Sequence, residues 1–202
     1  TSIALSPDRK QLVTTSWLRV RFWERDENQN WIVVDELPLS AERACYSPDG
    51  KVVVTSHYDH LIRFWDRNTR RQVKRLIHQP VVSSIGFSQD GSMFSSGSVN
   101  ETLKTWSMRE TKKPQPVLIS VQGRLGIGSA NNIVAVSGPD HGVLIWNPET
   151  GTQKKLTGCH TDIVVDLAFS PDGKSVATAS LDGTFALWDV SSGRVKQEFP
   201  RQ

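Results

Sequence analysis

One unit is repeated along this chain, and the repeat limits its fold more than any other feature. A serine opens a turn at Ser6, Ser47, Ser88, Ser129 and Ser170, 41 residues apart each time, in the stretches SPD, SPDG, SQDG, SANN and SPDG. A tryptophan follows each turn, at Trp23, Trp65, Trp106, Trp146 and Trp188, at intervals of 42, 41, 40 and 42 residues. Two markers with one period divide the 202 residues into five copies of one unit. A period of this length marks stacked supersecondary units that bury their apolar faces against one another.

Each unit reads as four short strands. In the last copy, residues 164–170 alternate apolar and polar, and the Ser-Pro-Asp-Gly turn joins them to 175–180. Proline presets its φ in such a turn and glycine takes the positive φ that closes it. Asp182-Gly183 makes the next hairpin into 184–189, and Ser191-Ser192-Gly193 leads to a polar outer strand at 194–199. In the third copy the outer strand carries Pro114 and Pro116, which only an edge strand tolerates. No segment keeps a 3.6-residue period, so helix content should be close to nil.

A four-stranded sheet with two apolar faces cannot bury both alone. Stacking copies face to face around an axis solves this, which predicts an all-β, β-propeller fold with blades at about 1–38, 39–78, 79–120, 121–158 and 159–202. A β-sandwich would have no reason to repeat at this period.

The repeats resemble the WD-repeat (Trp-Asp) propeller family over the whole chain. The dipeptide itself stands at Trp65-Asp66 and Trp188-Asp189 and becomes Trp-Glu, Trp-Ser and Trp-Asn in the other copies. The resemblance implies a hydrogen-bonded tetrad in each blade: a His before the first strand, a Ser or Thr in the second, an Asp in the next turn and the Trp. The matching positions are His160, Thr178, Asp182 and Trp188 in the last copy, and His78, Ser96, Asn100 and Trp106 in the third. The second copy keeps Thr55, Asp59 and Trp65, with Leu37 at the position of His; the fourth keeps only Asp140 and Trp146. Ser, Thr, His and Asp in one stretch also suit a hydrolase, but such a site occurs once and needs an open cleft. A constellation repeated in graded copies reads as architecture. Rings of this family carry about seven blades, so five should form an open arc with apolar faces at both ends. The start at Thr1, already strand-like, points to a piece of a longer chain whose remaining blades are its first partners.

The function expected is a non-catalytic protein–protein interaction scaffold that binds proteins or peptides and needs no cofactor or metal. The alternative is a regulatory or sensor module of a larger enzyme such as a kinase, protease or NTPase. By resemblance, the residues before the turn Asp or Asn lie on a partner-docking rim: Tyr58, Val99, Pro139 and Leu181. Trp17 and Trp31 fall off the repeat and mark a first blade that deviates, while His57, His60 and His141 read as surface histidines. Arg67, Arg70, Arg71, Lys74 and Arg75 form a candidate basic patch, most simply a charged outer strand that discourages edge pairing. A net charge of +3 without interleaved aromatics argues against nucleic acid. No apolar run approaches the roughly 18 residues of a membrane span, and the two cysteines, Cys45 and Cys159, lie far apart and fit a reducing cytoplasm.

Overall fold

The structure, a computed structural model, describes residues 2–98, 102–108, 127–130 (backbone only), 133–138, 140–147, 150–170 and 172–200. The fold is all-β, and among the described residues there is no helix. Blade 1 is β1 (Ser2–Leu5), β2 (Gln11–Thr15), β3 (Val20–Arg25) and β4 (Trp31–Leu37); blade 2 is β5 (Ala41–Tyr46), β6 (Val52–His57), β7 (Leu61–Asp66) and β8 (Gln72–Ile77). Blade 3 shows β9 (Val82–Phe87), β10 (Met93–Ser98) and β11 (Leu103–Ser107), its expected fourth strand lying outside the described residues. Blade 4 is β12 (Ile127–Ala130), β13 (Ile133–Ser137), β14 (Val143–Trp146) and β15 (Gln153–Leu156). Blade 5 is β16 (Val164–Phe169), β17 (Ser175–Ser180), β18 (Phe185–Asp189) and β19 (Val195–Phe199). Every sheet is antiparallel with its strands in chain order, and none closes on itself. The chain divides into two compact units, Thr1–Ile85 and Gly86–Gln202.

The turn after the first strand explains why the serine recurs. Its hydroxyl donates to the Asp two residues on and accepts the amide five residues on, which locks the hairpin from inside. Ser6–Asp8, Ser47–Asp49, Ser88–Asp90 and Ser170–Asp172 make the first bond at 2.6–2.7 Å. Gln11, Val52, Met93 and Ser175 make the second at 2.9–3.0 Å. The fourth turn residue has positive φ: 69° at Gly50 and Gly91, 68° at Gly173, and 59° at Arg9, where blade 1 has no glycine. In the turn after the third strand, the Asp of Trp-Asp is the acceptor. Asp66 takes the amides of Asn68 and Thr69, and Asp189 takes the Ser192 amide and the Ser191 hydroxyl.

The period of two along each strand gives a blade unlike faces. One bears the Trp, next to Leu12, Val53, Phe94, Val134 or Val176 on the neighbouring strand. Within the first unit the opposite face of blade 1 (Val13, Val20, Phe22) packs on the Trp face of blade 2 (Val53, Trp65). Within the second unit Leu103 of blade 3 meets Val134, Val136 and Trp146 of blade 4. Blade 4 in turn offers Ala135, Val143, Ile145 and Leu156 to Val164, Leu167, Val176, Ala186 and Trp188 of blade 5. Burying such a side chain contributes roughly 1.5–3 kcal/mol, so these interfaces are the main source of stability.

Candidate protein-docking rim

Hairpins alternate ends, so the turn after each second strand and the link into each first strand lie at one end of the blade. Beneath this end sit the buried polar networks. In blade 5 the Trp188 indole donates to Thr178 Oγ1 at 2.9 Å, and Thr178 Oγ1 lies 2.7 Å from His160 Nε2. His160 Nδ1 is 2.8 Å from Thr184 Oγ1, whose hydroxyl donates to Asp182 Oδ1 at 2.6 Å. Since Thr184 gives its proton to a carboxylate, it must accept from Nδ1–H; Nε2 is then free to accept from Thr178. One neutral imidazole tautomer satisfies the whole chain. Burial holds the His160 pKa below the usual histidine value against the pull of Asp182. Burial pulls the Asp182 carboxyl the other way, but donors from Thr184, Thr161 and Ser180 leave it well below the ordinary range.

Thus His160 and Asp182 are joined mainly through Thr184; their own closest atoms are 3.7 Å apart. Thr184 directly follows Gly183 in the turn, and the spacing rule that placed the other four gave it no role. Thr178 is 2% and His160 6% exposed. A nucleophile there would have no route to a substrate.

Blade 2 builds the same chain from different residues. Trp65 donates to Thr55 Oγ1 at 2.8 Å, and Thr55 lies 2.7 Å from His57 Nε2. His57 Nδ1 donates to the Ser40 carbonyl at 2.8 Å, which fixes the same tautomer. The surface assignment of His57 is therefore overturned: it is 2% exposed. Two residues after Thr55 on β6, it supplies from within the strand the imidazole that Leu37 cannot. His60 is partly buried and His141 exposed. Burial, then the nearby Arg63 charge, pushes the His57 pKa down to about 4. Asp59 turns instead to Arg63, at 2.5 and 3.0 Å, and its carboxyl is lowered chiefly by that guanidinium.

In blade 3 Trp106 donates to Ser96 at 3.0 Å and His78 is fully buried; Asn100 lies outside the described residues. Blade 1 holds a Trp23–Thr14 bond of 2.9 Å that the sequence reading did not assign, because its second turn is one residue shorter. In blade 4 Val136 takes the Ser/Thr place, and Asp140 faces Lys155 at 3.8 Å.

On the rim of the first unit, Tyr58 stacks on Trp17, with ring centroids 4.9 Å apart and planes 17° from parallel. The Tyr58 hydroxyl donates to the Glu42 carboxylate, and burial, then that carboxylate, raises the Tyr58 pKa to about 12. Trp17 is 68% and Leu18 73% exposed, while Ser16 Oγ accepts the amides of Leu18 and Arg19 to hold their turn. Trp17 occupies in blade 1 the place of Tyr58 in blade 2: each stands eleven residues after its turn serine, although counting back from the repeat Trp puts Trp17 one residue off. Leu181 is 62% exposed at the same place in blade 5; Val99 and Pro139 lie outside the described residues.

The five basic residues part company. Arg67 donates to Asp8 and Gln11 of blade 1, both at 2.7 Å, and Arg70 to Glu24 at 2.7 Å. These two tie blade 2 to blade 1. Arg71, Lys74 and Arg75 lie on or beside the exposed outer strand β8, with Lys74 over the Phe64 ring at 5.8 Å. Among the described residues no group of three His, Cys, Asp or Glu side chains converges for a metal ion, and no helix is long and apolar enough to cross a membrane.

The family model described as WD domain, G-beta repeat matches residues 42–66, 70–107 and 151–189, half of the chain. Transcription initiation factor TFIID subunit 5 of Caenorhabditis elegans is 24% identical over 74% of this chain and 24% of its own length. Human apoptotic protease-activating factor 1 is 31% identical over 70% of this chain and 12% of its own length. The COMPASS component SWD3 of Saccharomyces cerevisiae is 23% identical over the whole chain and 68% of its own length. The chain thus spans a quarter or less of the first two relatives. With its serine turns, its tryptophan column and that match in hand, the chain belongs to the WD-repeat family.

Proposed function

We propose that the chain is a non-catalytic scaffold that docks protein partners on the rim formed by Trp17, Leu18 and Tyr58. The observation that carries this reading is the stacked Trp17–Tyr58 pair, with Trp17 exposed and Tyr58 half-buried beneath it. Aromatic side chains held rigidly at a surface lose little entropy on binding and serve as anchors. Glu42 fixes the Tyr58 hydroxyl, so the pair is preorganised. The burial of Thr178 and His160 supports the non-catalytic part of the reading. The small positive charge, with Arg67 and Arg70 engaged in ion pairs, speaks for protein rather than nucleic acid as partner. Two free cysteines suit a reducing cytoplasmic setting.

Trp17→Ser and Tyr58→Ser should fold normally and lose the same set of proteins in affinity capture read by quantitative mass spectrometry. Leu181→Ser serves as a second rim variant. An unchanged partner set in both aromatic variants would remove the rim from the reading. A second reading, a regulatory module within a larger protein, is favoured by the match to a small part of apoptotic protease-activating factor 1.

A further inference from the structure

The outer strand of blade 2 has one edge paired and one edge free. β8 is the last strand of its sheet and bonds to β7 alone. The His78 amide donates to the His60 carbonyl at 3.0 Å, which makes Leu61–Ile77 and Arg63–Arg75 non-hydrogen-bonded pairs of that ladder. The backbone amides and carbonyls of Arg75 and Ile77 therefore point away from β7, and those of Lys74 and Leu76 point towards it. Every residue of β8 except Leu76 is exposed, with Val73 at 60% and Ile77 at 62%. Such an edge is a template for an added strand.

Charge selects which strand the edge accepts. β8 holds no acidic residue, and among the described residues Arg71 and Arg75 enter no ion pair, while Lys74 has only the Phe64 ring. Arg75 stands directly opposite Arg63, and like charges so placed repel. Asp59 answers Arg63, but no carboxylate answers Arg75. Outer strands elsewhere are balanced: Glu36 takes Arg19 and Arg21 in blade 1, Lys155 faces Asp140 in blade 4, and Lys196 reaches Asp189 at 3.3 Å in blade 5. One lysine is enough to turn stray strands away. Three cations without carboxylates, beside exposed Val73 and Ile77, instead match acidic residues flanked by apolar ones. A second β8 would set cation against cation.

We propose that β8 takes up an extended acidic segment of a partner protein as a fifth strand of blade 2. Two consecutive acidic residues of that segment lie opposite Lys74 and Arg75, one on each face of the sheet, and apolar residues lie beside Val73 and Ile77. Main-chain bonds to Arg75 and Ile77 supply the docking, and the cations select the sequence. This edge shares no residue with the aromatic rim, so the two surfaces are tested apart.

The probe is a fluorescein-labelled peptide, Thr-Val-Thr-Glu-Glu-Val-Thr-Val, titrated with the chain and followed by anisotropy. A peptide with Lys-Lys at its centre and an oligothymidylate are the controls. The glutamate peptide should saturate with Kd below about 1 mM, and neither control should. Arg75→Glu should weaken its binding about tenfold, through lost attraction and added repulsion, while Trp17→Ser should bind as the wild type does. Should Arg75→Glu misfold by circular dichroism, Lys74→Glu is read in its place. Amide hydrogen exchange then reports how the peptide sits. Saturating peptide should slow the Arg75 and Ile77 amides and leave those of Lys74 and Leu76, already bonded to β7, little changed. No saturation, equal binding of either control, loss of binding in Trp17→Ser, or binding that leaves the Arg75 and Ile77 amides unprotected would each overturn the proposal.

Discussion

At the scale of single residues, Thr184 decides how the blade 5 network holds together. It accepts from one buried group and donates to another, so removing its hydroxyl leaves the His160 Nδ1–H without its acceptor and Asp182 Oδ1 with only the Thr184 amide. Thr184→Val should lower stability by about 1–3 kcal/mol in urea denaturation, with Thr184→Ser close to wild type. His57 makes a pH prediction. Its folded pKa, pushed down to about 4, lies below the ordinary value near 6.5, so below pH 6.5 the unfolded chain takes up a proton that the folded chain refuses. Stability is fully present above pH 6.5 and falls as pH drops towards 4, by on the order of 3 kcal/mol from this group. Denaturation midpoints measured between pH 7.5 and 4.5 should show that loss, reduced in His57→Gln. Neither residue's role was legible in the sequence. Spacing identified His160, Thr178, Asp182 and Trp188 because each stands at a fixed offset, whereas His57 reaches its place by strand direction: residues two apart share a face. Nothing in spacing says that a Leu37 vacancy is filled from the second strand.

At the scale of elements, the strands were readable because each is bounded by a turn whose chemistry is local. The serine, the Asp and the positive-φ residue lie within five positions, and no distant contact is needed to set them. Arg9 shows the rule by breaking it. With φ of 59° it carries a side chain where the other blades place glycine, at a steric penalty of roughly 1–2 kcal/mol for the left-handed conformation. Arg9→Gly should therefore raise the thermal midpoint, with a gain of up to about 1 kcal/mol after the added freedom of the unfolded chain is subtracted. What the elements did not disclose was the split of the basic run. Five cations in nine residues read as one patch, yet the turn after β7 directs Arg67 and Arg70 back towards blade 1, leaving the others on β8. The direction a side chain takes in a turn depends on backbone angles, such as the φ of 56° at Arg70, that composition does not encode.

At the scale of the whole molecule, the five-copy organisation and the family were legible because a period needs no knowledge of contacts. The rim was legible only in part: Tyr58 and Leu181 are marked by the turn Asp that follows each, whereas Trp17 is followed by Leu18 and is matched only by its distance from Ser6. That all five tryptophans sit on the same side of their blades has a further result. A blade has a front and a back, like a word that cannot be read in mirror image, and the chain is a sentence with a reading frame of 41 residues. Excising one whole frame, residues 47–87, joins Tyr46 to Ser88 as it was joined to the equivalent Ser47, and a front still meets a back at the seam. Excising half a frame instead joins the early strands of one copy to the late strands of the next out of step. The first deletion should retain cooperative unfolding and a β-sheet circular dichroism spectrum, and the second should lose both. Length in such a protein is quantised, and insertions or losses that keep the frame are the ones its fold can absorb.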